Sequence, residues 1–181
     1  MCTILRMLTK QRKPRPASTA LVEDHTEAAF RALLRTFGLV RRAMEPHFSR
    51  FGISGSQWAI LRNLSCSEGK GEMSLRLTDL SERLLIRPPS VTGVVDRLER
   101  QGLVERSGEP GDLRVKRVGL TDQGRALVQQ VKEKHRTQIH SVLGALSAGE
   151  QKELHRLLDR LGAHLETIAG PAHVESGGKR I

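Results

Sequence analysis

The sequence contains few aromatic residues and few cysteines, and it lacks any long apolar run. Among its 181 residues are 4 phenylalanines, 1 tryptophan and 0 tyrosines, so aliphatic side chains must fill most of the core. Its 2 cysteines, Cys2 and Cys66, are too few for the disulfide framework of a small secreted domain. No apolar run approaches the roughly 20 residues of a membrane-spanning helix, and the first residues lack the pattern of a signal peptide. We therefore expect a cytoplasmic protein with no membrane partner.

Sequence signatures of enzymes and metal centres are also missing. The chain contains no Gly-x-Ser-x-Gly, His-Glu-x-x-His or Cys-x-x-Cys pattern. The segment SEGKGEMS includes Gly-Lys but lacks the glycine spacing of a phosphate-binding loop. The 7 histidines are scattered and form no ligand set with metal-binding spacing. We expect neither an enzyme nor a cofactor or metal site.

Positive charge exceeds negative charge, with 30 Lys and Arg against 20 Asp and Glu and a formal net charge of +10. Such an excess favours a polyanionic partner, with nucleic acid ahead of an acidic membrane surface. Charge alone also allows a basic surface with no specific partner. We predict a flexible basic arm over residues 1–22 and a flexible tail over 169–181; the arm either touches DNA or is a solvated tail.

Helical periodicity dominates the two ends of the remaining chain. Apolar residues recur every three or four positions over about 25–49 and about 121–168. These stripes have no obvious partner within a small three-helix domain, so we expect them to pair with a second subunit. Helix starts are predicted by two capping boxes and two single caps: Ser54 with Gln57, Ser147 with Glu150, Thr78 and Thr121.

The stretch LLIRPPSVTGVVDRLERQGLV, residues 84–104, contains two prolines and a glycine yet keeps helical spacing of its apolar residues. Proline is tolerated in the first turn of a helix, which predicts Pro88 at the cap and Pro89 as the first helical residue. One face would bury Val91, Val94, Val95 and Leu98. The opposite face carries the predicted DNA contacts of a recognition helix, namely Ser90, Thr92, Gly93 and Arg97.

The chain around SGEPGD predicts a hairpin, because short β-branched segments flank a cluster of turn residues. Its tip and return strand carry Asp112, Arg114 and Lys116. A short helix pair followed by a small hairpin is typical of a winged helix-turn-helix, in which the hairpin, or wing, inserts an arginine into the minor groove. A solvated charged hairpin is the alternative. Within the predicted recognition helix, Asp96 and Arg100 are four residues apart, a spacing that favours a supporting ion pair.

The segment LTDLSERLLIRPPSVTGVVDRLERQGLVERSGEPGDLRVKRVGLTDQGRALV resembles the MarR family of bacterial transcriptional regulators. VDRLERQGLVER, the Asp-x-Arg wing and LTDQGRAL carry the resemblance, which extends over about residues 25–168. The chain departs from the family at Arg87 and Gly93, where serine and arginine are frequent, and at Leu113 within the wing. Only Asp112 and Arg114 of the wing motif are therefore carried over.

The resemblance implies a mainly α fold with a small β-hairpin wing and a MarR-like domain over 23–168. Its winged helix-turn-helix would span about 54–120, between dimerisation helices about 25–49 and 121–168. It further implies a homodimer that binds palindromic promoter DNA and represses transcription until a small aromatic ligand binds.

A ligand pocket would lie near Phe37, Met44, His47 and Trp58, although these residues equally suit simple core packing. A thiol-redox-sensing regulator and a nonspecific architectural DNA-binding protein remain alternatives. Neither cysteine matches the position of a family redox sensor, and we expect Cys66 to be a small buried or half-buried residue.

Overall fold

The structure, a computed structural model, describes residues 24–109 and 112–169. Within these, the side chains of residues 109, 112–115 and 169 are outside the described part. The described residues fall into two compact units, divided between Phe37 and Gly38. The arm predicted for residues 1–22 lies outside the described residues, as does the predicted tail except for the backbone of its first residue.

The described residues form six helices and three strands. In chain order they are α1 (His25–Ser49), α2 (Gly55–Glu68), β1 (Ser74–Arg76), α3 (Leu77–Leu84), α4 (Pro88–Arg100), β2 (Val104–Glu109), β3 (Asp112–Leu120), α5 (Asp122–Leu143) and α6 (Ala148–Ala169). The predicted mainly helical fold with a small hairpin wing is confirmed. No helix among the described residues is long and apolar enough to cross a membrane.

Short-range capping sets most helix starts as the sequence predicts. At α2, Ser54 Oγ accepts from Gln57 N–H and Gln57 Oε1 accepts from Ser54 N–H, which is a complete capping box. The hydroxyl of Thr121 accepts from Gly124 N–H at 3.0 Å and caps α5. The start of α3 differs from the prediction, because Arg76 and not Thr78 is the N-cap. Asp79 Oδ2 accepts from Arg76 N–H at 3.2 Å, so the carboxylate of α3 replaces the predicted threonine cap.

The three strands form an antiparallel sheet in the order β1-β3-β2. The predicted hairpin is β2 and β3, in which Val104 pairs with Leu120. Strand β1 joins the opposite edge of β3, with Leu75 beside Val118. The strands also extend into the SGEPGD cluster, because β2 reaches Glu109 and β3 begins at Asp112. The wing is therefore anchored to the chain ahead of α3.

The core of the unit from Gly38 onward is mainly aliphatic, as the low aromatic content predicts. Phe48 and Trp58 are its buried aromatic side chains, at 6% and 5% exposure. The predicted buried face of α4 is confirmed, because the four apolar side chains named for it are at most 6% exposed. This face fixes α4 rotationally, so its opposite face must point away from the core.

The described part of the unit that ends at Phe37 is essentially the first part of α1, and its large apolar side chains are exposed. Phe30, Leu34 and Phe37 are 59%, 56% and 64% exposed. In the other unit, α6 leaves a row of apolar side chains exposed in the same way: Leu154, Leu157, Leu158, Leu161, Leu165 and Ile168. Contiguous apolar surface of this kind is uncommon on a monomer.

Gly124 in the first turn of α5 is required by close packing. A Cβ at this position would lie 2.0 Å from the carbonyl oxygen of Leu103. We expect Gly124→Ala to lower the free energy of unfolding by about 1–3 kcal/mol, the usual cost of overpacking. Gly93→Ala is the matched control, because nothing lies within 4 Å of its new Cβ and alanine favours a helix by up to about 1 kcal/mol. Urea unfolding of both variants tests this, and equal midpoints would contradict it.

Candidate nucleic-acid interface

Helix α4 begins with two prolines, and a glycine follows its C-cap. Arg87 is its N-cap, with φ −65° and ψ 142°, and Pro88 and Pro89 are its first two residues. The predicted start is therefore one residue late: Pro88 is inside the helix and is not its cap. Both missing N–H groups fall among the first four of the helix, which have no intrahelical partner in any case. Gly102 follows the C-cap with φ +69°, and its N–H donates to Glu99 O at 2.9 Å.

The residues predicted to contact DNA occupy the outward face of α4. Ser90, Thr92 and Arg97 are exposed, and Gly93 is half-buried with open space around its Cα. The structure brings these four positions together on one side of the helix, opposite the buried valines and Leu98. Their contacts with bases or phosphates remain a prediction.

The wing follows this helix in the chain, and its tip is only partly described. Lys116 is exposed on β3 and faces Gly108 in the strand register. Asp112 and Arg114 belong to β3, and Asp112 is opposite Glu109, but their side chains lie outside the described part. The predicted roles of both residues remain predictions.

Arg106 on β2 joins the wing to α4, and sequence reasoning missed it. Its guanidinium donates to Asp96 Oδ1 at 2.5 Å and to Glu99 Oε2 at 2.6 Å. The predicted Asp96–Arg100 ion pair is wrong, because Arg100 Nε donates to the main-chain oxygen of Asp96 at 3.3 Å. Acidic residues three positions apart on one helix face are the signal available in sequence. Their partner is on a strand, where helical spacing does not apply.

A second polar network ties the opposite side of the sheet to α3. Arg83 on α3 donates to Ser67 Oγ at 2.7 Å and to Glu72 at 3.3 Å. Arg117 on β3 donates to the hydroxyl and main-chain oxygen of Ser74 on β1, and its guanidinium lies 3.9 Å from the Glu72 carboxylate that Arg83 also contacts. Together with Arg106, these side chains bind both helices of the helix-turn-helix to the sheet.

Two of the residues predicted for a ligand pocket meet in a cluster of aromatic and histidine rings. The ring centroids of His47 and Trp58 lie 5.4 and 5.3 Å from that of His135 on α5. Met44 is 9% exposed and belongs to the core that surrounds Trp58. Phe37, at 64% exposure, belongs to the other compact unit. The structure therefore adds His135, a residue that no sequence signal placed near the others.

This cluster contains two buried nitrogen atoms, His47 Nε2 and His135 Nδ1, that have no hydrogen-bond partner within the described part of the chain. Burial lowers the pKa of His47, and the nearby Arg50 guanidinium lowers it further. Burial also lowers the pKa of His135, to which His47 and Arg62 add. Both rings are thus held neutral at neutral pH, and their unpaired nitrogens could accept or donate one hydrogen bond to a small polar guest.

The same unit contains an open cleft of about 400 Å³. It is lined by Phe51, Gly52, Ile53, Gln101, Leu103, Gln123, Ala126, Leu127 and Gln130. Met44, His47 and Trp58 do not line it. Phe51, which does line it, has its ring centroid 5.5 Å from that of His47, so the cleft adjoins the ring cluster.

The cysteine that the structure describes does not occupy the expected environment. Cys66 on α2 is exposed, so the expectation of a small buried or half-buried residue is wrong. It lies two positions after Leu64 on the solvent side of a helix whose buried residues include Leu61 and Leu64. Across residues 24–109 and 112–169, no three His, Cys, Asp or Glu side chains are grouped as metal ligands.

Arg106→Lys tests the clamp between α4 and the wing. A lysine ammonium is a point charge and cannot hold two carboxylates with the planar fork of arginine. Because all three side chains are partly exposed, we expect the free energy of unfolding to fall by only about 1 kcal/mol. Arg100→Lys is the control, since Arg100 reaches a main-chain oxygen. Equal losses in urea unfolding would show that Arg106 has no special role.

The lowered pKa values of His47 and His135 predict loss of stability in acid. Below the ordinary value of 6.5, the unfolded chain takes up protons at these residues while the folded chain does not. Stability therefore falls as pH drops from about 7 towards the folded pKa values. We expect His47→Gln to lose less stability than the wild type between about pH 7.5 and about pH 5.5. His140→Gln, at an exposed histidine of α5, serves as control; identical pH profiles for all three proteins would refute the assignment.

The sequence of this chain is similar to those of known transcriptional regulators. The MarR family profile matches residues 51–114, which contain α2 to β2 and the start of β3. The transcriptional regulator PecS of Dickeya dadantii is 31% identical over 133 residues, 74% of this chain and 79% of PecS. The homoprotocatechuate degradative operon repressor of Escherichia coli is 30% identical over 128 residues, 71% of this chain and 83% of that repressor.

The fold is also similar to that of a MarR-family protein of known structure. A mutant MarR from Escherichia coli, solved in complex with operator DNA, matches with a TM-score of 0.68 at 24% identity. The match covers 74% of this chain and 93% of that one. At this identity the likeness concerns the fold, and the sequence matches to PecS and to the operon repressor establish the kinship. The chain belongs to the MarR family of transcriptional regulators, a family without enzymatic activity.

Proposed function

We propose that this regulator is a repressor that binds pseudo-palindromic promoter DNA as a homodimer and is released by a small aromatic ligand. The observation that carries the proposal is the face of α4 opposite its buried side. Ser90, Thr92 and Arg97 are exposed there, and the core and the Arg106 clamp fix the helix in this orientation. A rigid helix with a small-residue outer face suits insertion into the major groove.

Electrostatics support DNA as the partner. The net charge of +10 attracts a polyanion over the whole molecule. Arg87 and Arg97 are exposed on α4 and Lys116 is exposed on the wing, so cationic side chains flank the outer face of the helix. Such residues would neutralise phosphates on both sides of the groove and fix the register of α4.

Exposed apolar surface supports a homodimer. The side chains of Phe30, Leu34 and Phe37 in one unit, and the row on α6 in the other, are largely in contact with solvent in the single chain. A second copy would cover both surfaces in a two-fold symmetric arrangement. Two recognition helices would then lie about one DNA turn, ~34 Å, apart, which requires a palindromic site.

The ring cluster of His47, Trp58 and His135, which lies in the unit whose core includes Met44, supports a ligand site. Two of its buried nitrogens have no hydrogen-bond partner among the described residues and suit one polar group of a guest. A ligand there can change DNA binding only if it prefers one spacing of the two recognition helices over another. The similarity to an operon repressor of Escherichia coli favours repression over activation.

A nonspecific architectural DNA-binding protein is the second candidate, and the net charge favours it as well. The two functions differ in sequence preference. A regulator has an enriched target sequence and an affinity well above that for random duplexes. An architectural protein binds both with similar affinity and similar salt dependence.

Selection of DNA from random duplexes by the full chain, followed by anisotropy titration, separates these functions. We expect an enriched sequence made of two inverted half-sites. Arg114→Ala should weaken binding to the selected and to unrelated duplexes alike, by about tenfold, because a wing arginine contacts backbone or minor groove. The salt slope should also fall by about one.

Lys134→Ala removes one positive charge from an exposed position on α5 and is the matched control. It should leave affinity near that of the wild type. Unchanged affinity of Arg114→Ala would remove the wing from the interface. Recovery of no enriched sequence would contradict the regulator and favour the architectural protein.

A further inference from the structure

The outer surface of α4 begins with a strip of four residues whose hydrogen-bond donors are all used within the helix or missing. Pro88 and Pro89 occupy the first two helical positions, and Thr92 and Gly93 lie one turn later on the same side. We call these four residues the leading edge. Pro88, Pro89 and Thr92 are exposed, and no atom of the described residues lies within 4 Å of a Cβ built on Gly93.

The main chain of the leading edge offers no free donor at its start. The two prolines have no N–H group. The next N–H, that of Ser90, donates to Arg87 O at 2.9 Å, and that of Val91 donates to the same oxygen at 3.3 Å. The start of this helix therefore cannot donate main-chain hydrogen bonds to a base edge or a phosphate, as many helix starts do.

The side chains of the leading edge likewise offer no free hydrogen-bond donor. Thr92 Oγ1 donates to Pro88 O at 3.1 Å, so its proton is used inside the helix. Its methyl group is left as the apolar group of an exposed side chain. Asp96, one turn further on, accepts from Arg106, and Gly93 has no side chain. The strip thus presents carbon, with room for close approach at Gly93.

Among the base edges in the major groove, only that of thymine presents an apolar group, its C5-methyl. A donor-free strip with an exposed methyl group matches that feature and does not match the acceptors of guanine. We propose that the leading edge reads a thymine in each half-site through its C5-methyl group, with the Thr92 methyl as the specificity-determining contact. This inference rests on the proposed binding of α4 in the major groove.

Two variants separate the contribution of the Thr92 methyl group from that of its hydroxyl. Thr92→Val keeps a methyl group and removes the hydroxyl, whereas Thr92→Ser keeps the hydroxyl and removes the methyl. Valine and serine have similar helix propensities, and urea unfolding checks that both variants fold. The DNA is the duplex selected by the wild-type chain, with uracil placed at each thymine in turn in order to remove one C5-methyl group at a time.

We expect Thr92→Val to bind within about twofold of the wild type and Thr92→Ser to bind about fourfold more weakly per half-site, as for loss of one buried methyl contact. One thymine of each half-site should be sensitive to uracil in the wild type, by about the same factor. The same replacement should have no further effect on Thr92→Ser, because the two methyl groups form one contact.

Two results would overturn this inference while leaving the proposed function in place. One is a selected site in which no thymine is sensitive to uracil, or in which uracil weakens the wild type and Thr92→Ser equally. The other is weak binding by Thr92→Val with normal binding by Thr92→Ser, which would assign the contact to the hydroxyl. Absence of any selected sequence would instead overturn the proposed function, and the inference with it.

Discussion

The contact of one arginine with two carboxylates joins the two parts of the proposed DNA-facing surface, helix α4 and the wing. Arg106 lies on β2, and its two partners, Asp96 and Glu99, lie on α4. The core fixes the rotation of α4 about its own axis, since its valines and Leu98 are buried. Apolar packing also joins the wing to the helix, because Val104 and Val118 of the wing strands belong to the same buried core as those side chains of α4. The fork of Arg106 adds a directional polar contact between them, and we propose that it helps helix and wing meet adjacent grooves at the same time.

The start of α4 shows how the same helix is shaped for its outer side. Two prolines fix the backbone of the first turn at no cost in hydrogen bonds. They also remove the donors by which a helix start binds phosphate or bases. Gly93 lowers helix propensity, although no neighbour among the residues that the structure describes packs closely enough to require a glycine there. These choices are unfavourable or neutral for folding, and they make sense for a surface that another molecule approaches closely.

Sequence reasoning succeeded where the determining interaction is local. The capping box of Ser54 and Gln57, the cap at Thr121 and the buried face of α4 all depend on residues within one or two helical turns. It failed where the partner is distant in the chain. The partner of Asp96 is ten residues away on a strand and not four residues away on the helix, and β1 pairs with β3 across forty or more residues.

The candidate site divides in the same way. The outward positions of Ser90, Thr92 and Arg97 follow from helical periodicity, which is why the sequence placed them together. Sequence did not reveal that the Thr92 hydroxyl is used within the helix, because threonine takes more than one rotamer in a helix. The exposure of Cys66 and the meeting of His47 with His135 also depend on tertiary packing.

The central claim is that the outer face of α4 lies in the major groove at two positions of one DNA site. It is tested most directly by DNA cleavage from an iron chelate attached to Ser90→Cys, in a chain where Cys2 and Cys66 are replaced by serine. The account predicts two clusters of cuts on a selected duplex, with centres one helical turn, about 10 base pairs, apart. Cuts spread evenly along the duplex, or equal cutting from a chelate at Lys134→Cys, would contradict it.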